Sequence, residues 1–177
     1  MNKNYFIIGF LVLLVFISSC KTDTREKVMK DDAAMEKNDK MIENKSSMAE
    51  ESGFMSSGKI LAGSKTPFID FNKADYDKAI VENKVIFLYF YANWCPICRA
   101  EEPKAREAFN ELNNPGVVGF RVSYKDSDTD NDEEELAKQF GITYQHTKVI
   151  IKNGARVLKD GNSWNKQMYI DQIKKYS

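Results

Sequence analysis

The chain of 177 residues holds one histidine, three cysteines and four prolines, and its 26 Lys and Arg are matched by 26 Asp and Glu. Each scarcity excludes something. Three cysteines are too few for a disulfide scaffold or a four-cysteine zinc module. One histidine leaves a Ser-His-Asp hydrolase only through His146. A net charge of zero and a pI near 6.6 lack the basic excess of a nucleic-acid binder. The longest apolar run, Tyr5–Ile17, is short of the ~20 residues a membrane span needs. What remains is substantial. Hydrophobic residues make up 42% and aromatics 12%, enough for one packed core and too many for a wholly disordered chain.

Three segments differ in composition. In MNKNYFIIGFLVLLVFISSC, Lys3 precedes the apolar run, and Ser18 and Ser19 lead into Cys20. A charge, an apolar core and small residues in that order form an export signal. The ending Ile17-Ser18-Ser19-Cys20 resembles a bacterial lipobox. That resemblance implies cleavage before Cys20, lipidation of its sulfur, and a chain held outside the cytoplasm at a membrane. The alternative is an uncleaved anchor with an incidental cysteine.

From Lys21 to about Lys65, Lys, Asp, Glu, Asn and Ser dominate, and Phe54 is the single aromatic. Such a stretch buries too little apolar surface to offset its ordering entropy. Val28, Met35, Ile42 and Ala49 recur every seven residues, with Met41, Met48 and Met55 alongside, so a weak amphipathic helix is open over about Arg25–Glu51. The methionines read either as soft-metal ligands or as an apolar stripe on a solvated tether. Ser52–Gly58 reads as flexible linker.

Residues 66–177 alternate helical and strand patterns. Asp70–Glu82 is helical by spacing, and Val85–Tyr91 (VIFLYFY) is a strand buried on both faces. Ala100–Leu112 is a helix, Val117–Tyr124 a strand and Glu133–Phe140 a short helix. Lys148–Lys152 and Arg156–Asp160 pair through the turn signal Asn153-Gly154, and Lys166–Tyr176 closes as a helix. That order predicts an α/β domain with a mixed sheet.

The chemistry concentrates in Trp94-Cys95-Pro96-Ile97-Cys98, between a buried strand and a helix. Pro96 turns Cys95 away from helical geometry and itself suits the first helical position. Cys95 is therefore expected at the N-cap, where free N–H groups and the helix dipole favour thiolate over thiol. Cysteines so placed fall in a range of about 3.5–7.5 against ~8.5 when free. Cys98 lies on the same helical face, within disulfide reach. Cys95 is then the attacking sulfur and Cys98 the resolving one.

Taken with Tyr89–Arg99, Pro103, Phe140-Gly141-Ile142 and Thr147–Gly154, this segment resembles the thioredoxin-fold family. The resemblance covers 66–177 and implies a thioredoxin-like mixed β-sheet flanked by helices, preceded by a flexible tether. The expected layout is 1–19 signal peptide, 20–65 lipid-anchored tether and 66–177 thioredoxin-like domain. Two positions depart from the pattern. His146 stands where the family usually has a cis-proline facing the cysteines. Tyr89 stands where it often buries an acid, and a tyrosine is no proton acceptor at neutral pH.

The resemblance implies a membrane-anchored extracytoplasmic thiol–disulfide oxidoreductase. Cys95 and Cys98 are catalytic, and Trp94, Pro96, Ile97, His146 and Thr147 shape the site. Its cofactor is none beyond the redox-active disulfide. Its partners are disulfide-containing proteins or small thiols, a membrane or envelope thiol-redox protein, and the bilayer through Cys20, with no nucleic acid. His146 is open as a general base or as a metal ligand with Cys95 and Cys98 in a metal-delivery protein. A non-catalytic surface adaptor is the third reading. Asp126, Asp128, Asp130 and Asp132 alternate like the start of a calcium loop, but lack its glycine and closing glutamate. They read better as an acidic loop feeding a helix N-terminus. Arg99 reads as an anion contact or as ordinary surface.

Overall fold

The structure, a computed structural model, describes residues 53–177. Cys20, the signal-like segment and the methionine series up to Met48 lie outside the described residues. The described elements are β1 (Ile60–Ala62), β2 (Phe68–Asp70), α1 (Lys73–Val81), β3 (Val85–Tyr91), α2 (Pro96–Glu111), β4 (Val117–Ser123), α3 (Asn131–Gln139), β5 (Thr147–Lys152), β6 (Ala155–Asp160) and α4 (Lys166–Tyr176). The strands form one mixed sheet in the order β1-β2-β4-β3-β5-β6. Strands β2, β4 and β3 run parallel to one another, and β5 and β6 add an antiparallel hairpin beyond β3. The expected α/β class with a mixed sheet is what the chain adopts.

Strand β3 is central and every residue in it is buried. Side chains alternate across a strand, so Val85, Phe87, Tyr89 and Tyr91 enter one apolar cluster and Ile86, Leu88 and Phe90 the other. The first cluster includes residues of α2 and α4, and the second includes residues of α1 and α3. Gly119 of β4 is required by this packing, because a Cβ there would lie 2.4 Å from the Phe109 ring of α2.

Two expectations need correction. The segment 52–65, read as tether and linker, contributes from residue 53 onward to the domain itself. Phe54 is buried against the second cluster, β1 pairs with β2, and Arg106 donates to the Leu61 carbonyl at 3.0 Å. One polar side chain organises this entry. The Asp75 carboxylate accepts from Ser56 Oγ (2.6 Å), Ser57 N (3.0 Å), Gly58 N (2.9 Å) and Asn72 Nδ2 (2.8 Å). The polar composition that suggested disorder is thus spent on one buried acid. The second correction is at Asp70, expected to open a helix. Phe68–Asp70 is strand β2, in parallel register with Gly119–Arg121. Three residues are too few for periodicity to separate strand from helix. The helix begins after Asn72, whose side chain caps it by accepting from Asp75 N at 2.9 Å.

The acidic loop behaves as a helix entry. Asp130 caps α3 by accepting from Glu133 N, while Glu133 accepts from Asp130 N, a reciprocal capping box. Asp126 accepts from Asn93 N at 2.8 Å and so ties this loop to the segment before the cysteines.

Candidate active site

Cys95 is the N-cap of α2, with extended backbone (φ −77°, ψ 114°) and Pro96 at the first helical position. The N–H of Cys98 donates to Cys95 Sγ at 3.2 Å. A backbone donor at the positive end of a 16-residue helix therefore faces the sulfur and stabilises negative charge on it. Both thiols are free and buried. Trp94, Pro96 and Ile97 remain exposed around them, and Trp94 Nε1 donates to the Lys125 carbonyl at 2.9 Å. Beside them is a shallow hollow of about 290 Å³ lined by Pro96, Ile97, Ala100, Glu101, Lys104 and Ser163. A larger hollow, about 520 Å³, lies between α1 and α3, and neither cysteine nor histidine lines it. Arg99 is exposed; its backbone N–H donates to the Cys95 carbonyl at 3.1 Å, and its side chain has no described bond to either cysteine.

Cys98 differs from Cys95 in its surroundings. Burial, followed by its hydrogen bond with Cys95, pushes its thiol up to about 12, while the Tyr89 hydroxyl pulls weakly the other way. The Cys98 sulfur therefore holds its proton at neutral pH.

His146 lies in the loop entering β5, and its N–H donates to the Phe90 carbonyl at 2.7 Å. Its peptide is trans, with φ +70°, a left-handed conformation that histidine tolerates better than most residues. Thr147 pairs with Phe90 in the sheet and donates from Oγ1 to the Tyr144 carbonyl at 3.0 Å, which holds this loop closed.

The ring nitrogens of His146 are both occupied. Nδ1 is 3.4 Å from the Tyr89 hydroxyl, and Nε2 is 3.1 Å from Ser163 Oγ and 3.0 Å from Glu101 Oε2. The three-ligand metal alternative is not assembled. Among the described residues, no group of three His, Cys, Asp or Glu side chains converges to hold a metal.

Behind the histidine lies a charged group that the sequence reading missed. Glu101 and Lys148 are both buried, and Lys148 Nζ is 2.7 Å from Glu101 Oε1. The same oxygen accepts from Trp164 N (2.8 Å) and the Tyr169 hydroxyl (2.7 Å). Lys148 also donates to the Asn162 carbonyl at 2.7 Å. Burial pulls the Lys148 ammonium down from its ordinary value, against the Glu101 carboxylate that holds it up. Two signals pointed here. Glu101 is three residues after Cys98, on the helical face that carries Ala105 and Ala108. Lys148 is two residues before Ile150, on the strand face that meets α2 and α4. A Glu and a Lys on two inward faces of adjacent elements are a buried pair in waiting.

The comparisons agree with the geometry. The family model described as Thioredoxin matches residues 67–175, more than half of the chain. The chain belongs to the thioredoxin family.

Among curated relatives, it is 35% identical over 91 residues to a protein named probable nucleoredoxin 3 from Oryza sativa subsp. japonica, covering 49% of this chain and 17% of that one. It is 32% identical over 97 residues to thioredoxin 2 of Plasmodium berghei, covering 54% of this chain and 57% of that protein. It is 39% identical over 87 residues to thioredoxin H4 of Arabidopsis thaliana, covering 47% and 64%. The chain thus spans less than two thirds of each of these relatives.

Among solved structures, thioredoxin O2 of Arabidopsis thaliana in the oxidised state aligns with a TM-score of 0.50 at 16% identity, over 66% of this chain and 100% of that one. Trxlp of Edwardsiella tarda aligns with a TM-score of 0.50 at 20% identity, over 59% of this chain and 95% of that one. At those identities the likeness is one of fold.

Proposed function

We propose that this protein is a thiol–disulfide oxidoreductase, anchored to a membrane through Cys20 and working outside the cytoplasm. The observation that carries the activity is Cys95 Sγ at the head of α2, accepting the Cys98 N–H, with Cys98 buried behind it. Cys95 attacks one sulfur of a substrate disulfide and forms a mixed disulfide, releasing one substrate thiolate. Cys98 then gives up its proton and attacks Cys95 Sγ, which closes the Cys95–Cys98 disulfide and releases the second thiolate. Electrons move from the cysteine pair to the substrate, and the reverse sequence oxidises a substrate dithiol. Exposed Trp94 and Ile97, on either side of Cys95, give an apolar rim suited to a polypeptide substrate. The relatives named thioredoxin support the same chemistry.

The anchoring rests on residues 1–20, whose charge, apolar run and Ser-Ser-Cys ending suit an exported lipoprotein. There a thiol pair is able to persist as a disulfide.

Reduction of a protein disulfide by the full chain, with dithiothreitol as donor, tests the activity. Cys95→Ser is expected to abolish turnover, and Cys98→Ser to trap a mixed disulfide. Turnover that survives Cys95→Ser sinks the enzymatic reading, and inactivity with retained partner capture favours an adaptor. Radiolabelled fatty acid fed to the producing bacterium is expected to label the chain, and Cys20→Ser to abolish the label. A wild-type chain without label refutes the anchor.

A further inference from the structure

The hollow of about 520 Å³ between α1 and α3 is separate from the cysteine site, and its floor and rim differ in chemistry. The floor is apolar and largely aromatic. The Phe71 ring stands 5.9 Å from Tyr76 and 6.1 Å from Phe120, centre to centre. Ile80 of α1 is 40% exposed there, and Leu136 of α3 lines the other wall. Apolar side chains left open in a concave site are what a binding surface offers.

The rim is acidic. Asp77 of α1 and Asp132 and Glu135 of α3 line the hollow and are exposed. Against these three carboxylates the lining holds one cation, Lys73, which is 2.7 Å from Asp77. The lysine of α3, Lys138, lies 3.6 Å from Glu134 instead. Asp132 and Glu135 have no ion pair among the described residues. The helix dipole accounts for Asp132, which is in the first turn of α3. It does not account for Glu135 beyond that turn, because the effect fades within one turn.

This rim already acts on a cation from both sides. The Lys73 ammonium is held above its ordinary value, first by its hydrogen bond with Asp77 and then, against desolvation, by the charges of Asp77, Asp132 and Glu135. Carboxylates of α1 and α3 therefore converge on positive charge at one opening.

An aromatic floor under an acidic rim complements lysine or arginine side chains with apolar neighbours. Their stems lie along apolar surface, and their charged heads reach carboxylates and the faces of rings. Phosphates and anionic headgroups are repelled by the same rim. Cations and apolar side chains carried on one strand of matter are a property of polypeptide, and a groove between two helices is a known seat for an amphipathic segment.

We propose that the groove between α1 and α3 is a docking surface for a basic amphipathic segment of a partner polypeptide. Its apolar side chains rest on Phe71, Tyr76, Ile80 and Leu136, and its cations meet Asp132 and Glu135. The surface shares no lining residue with the hollow beside the cysteines. It is nonetheless tied to that end of the domain, because the loop that caps α3 through Asp130 also accepts from Asn93 N through Asp126.

The test is binding of a fluorescent peptide of alternating lysine and leucine pairs, about 12 residues long and amphipathic as a helix, to the full chain by anisotropy. The peptide is expected to bind, and to bind more weakly as salt rises from about 0.05 M to about 0.5 M, since exposed charges are screened. Its counterpart with glutamate in place of lysine is expected not to bind. Asp132→Lys with Glu135→Lys is expected to weaken binding by about 10-fold, through two attractions lost and two repulsions gained. Ile80→Ser leaves the charge unchanged and is expected to weaken it by about 5-fold through lost apolar contact. Glu107→Lys with Asp171→Lys makes the same change in net charge at exposed positions of α2 and α4 and is expected to leave binding within 2-fold, about the limit of a remote screened effect. No binding to the wild type, equal binding of the glutamate peptide, or equal weakening by both double variants overturns the proposal. So does a dimer of the full chain that Asp132→Lys with Glu135→Lys dissolves, since a second copy would then be the occupant. Cys95→Ser is expected to bind as the wild type does, so a chain that binds the peptide but reduces no disulfide refutes the oxidoreductase reading and leaves the groove standing.

Discussion

The two faces of the sheet are built from the same strands yet hold their polar groups differently. On the α1 and α3 side the cluster from Phe54 to Ile151 is apolar, and the buried acids Asp75 and Glu133 have donors on both carboxylate oxygens. On the α2 and α4 side, Glu101, Lys148, His146 and the two cysteines are buried among Phe87, Tyr89, Trp164 and Tyr169. There one carboxylate oxygen is left without an aligned donor. A fully satisfied buried acid locks a structure in one arrangement. A partly satisfied one keeps part of its desolvation cost. The difference separates an acid held by neutral donors from one held by a buried ammonium.

The contrast can be broken from either side. The largest expected loss follows Lys148→Met, which leaves Glu101 charged, buried and unpaired, and costs about 3–5 kcal/mol. Pairing it with Glu101→Leu is expected to restore most of that stability in a urea titration, because the cost lies in the orphaned charge. A double variant no more stable than the single one would mean that the pair, and not its uncompensated half, holds this face.

On the other face, Leu88→Ala removes a fully buried side chain from β3 and is expected to cost about 2–5 kcal/mol through lost burial and a residual cavity. The rate of protein-disulfide reduction at a temperature where the variant is folded should stay unchanged, and a slower rate would show that the faces are coupled through the strand.

The smallest effect is expected at the rim. Burial alone would raise the Asp75 carboxyl, but hydrogen bonds from Asn72, Ser56, Ser57 and Gly58 outweigh it and hold it well below its ordinary 3.8. A depressed folded value means that the stabilisation is whole above pH 3.8 and fades as acid titrates the folded group. Asp75→Asn is expected to cost about 1–3 kcal/mol at neutral pH and to flatten acid unfolding below pH 3.8. Equal acid sensitivity in the variant would place the protective acid elsewhere.

How far the sequence led can be judged at three places. The central strand, the helix after the cysteines, the Asn153-Gly154 hairpin and the closing helix were legible because each has a strong local signal. The N-cap role of Cys95 was legible too, since Pro96 dictates it from one residue away. The entry to the domain was not, because Ser56, Ser57 and Gly58 look like linker until Asp75 is placed above them. The pairing of Glu101 with Lys148 was also hidden. Their side chains are 47 positions apart, and next to Glu102 and Lys104 a lone Glu101 looks like helix surface.

By itself the sequence determined the alternation of elements and the Cys95-Pro96-Ile97-Cys98 turn at a helix end, because these depend on periodicity and proline geometry, both local. Only the tertiary structure decided that His146 turns toward Tyr89 and Glu101 and away from a three-ligand metal arrangement, and that a lysine belongs in the core. Those outcomes depend on which faces meet across the sheet, and the energy of a buried charge is set by the neighbours that folding brings to it.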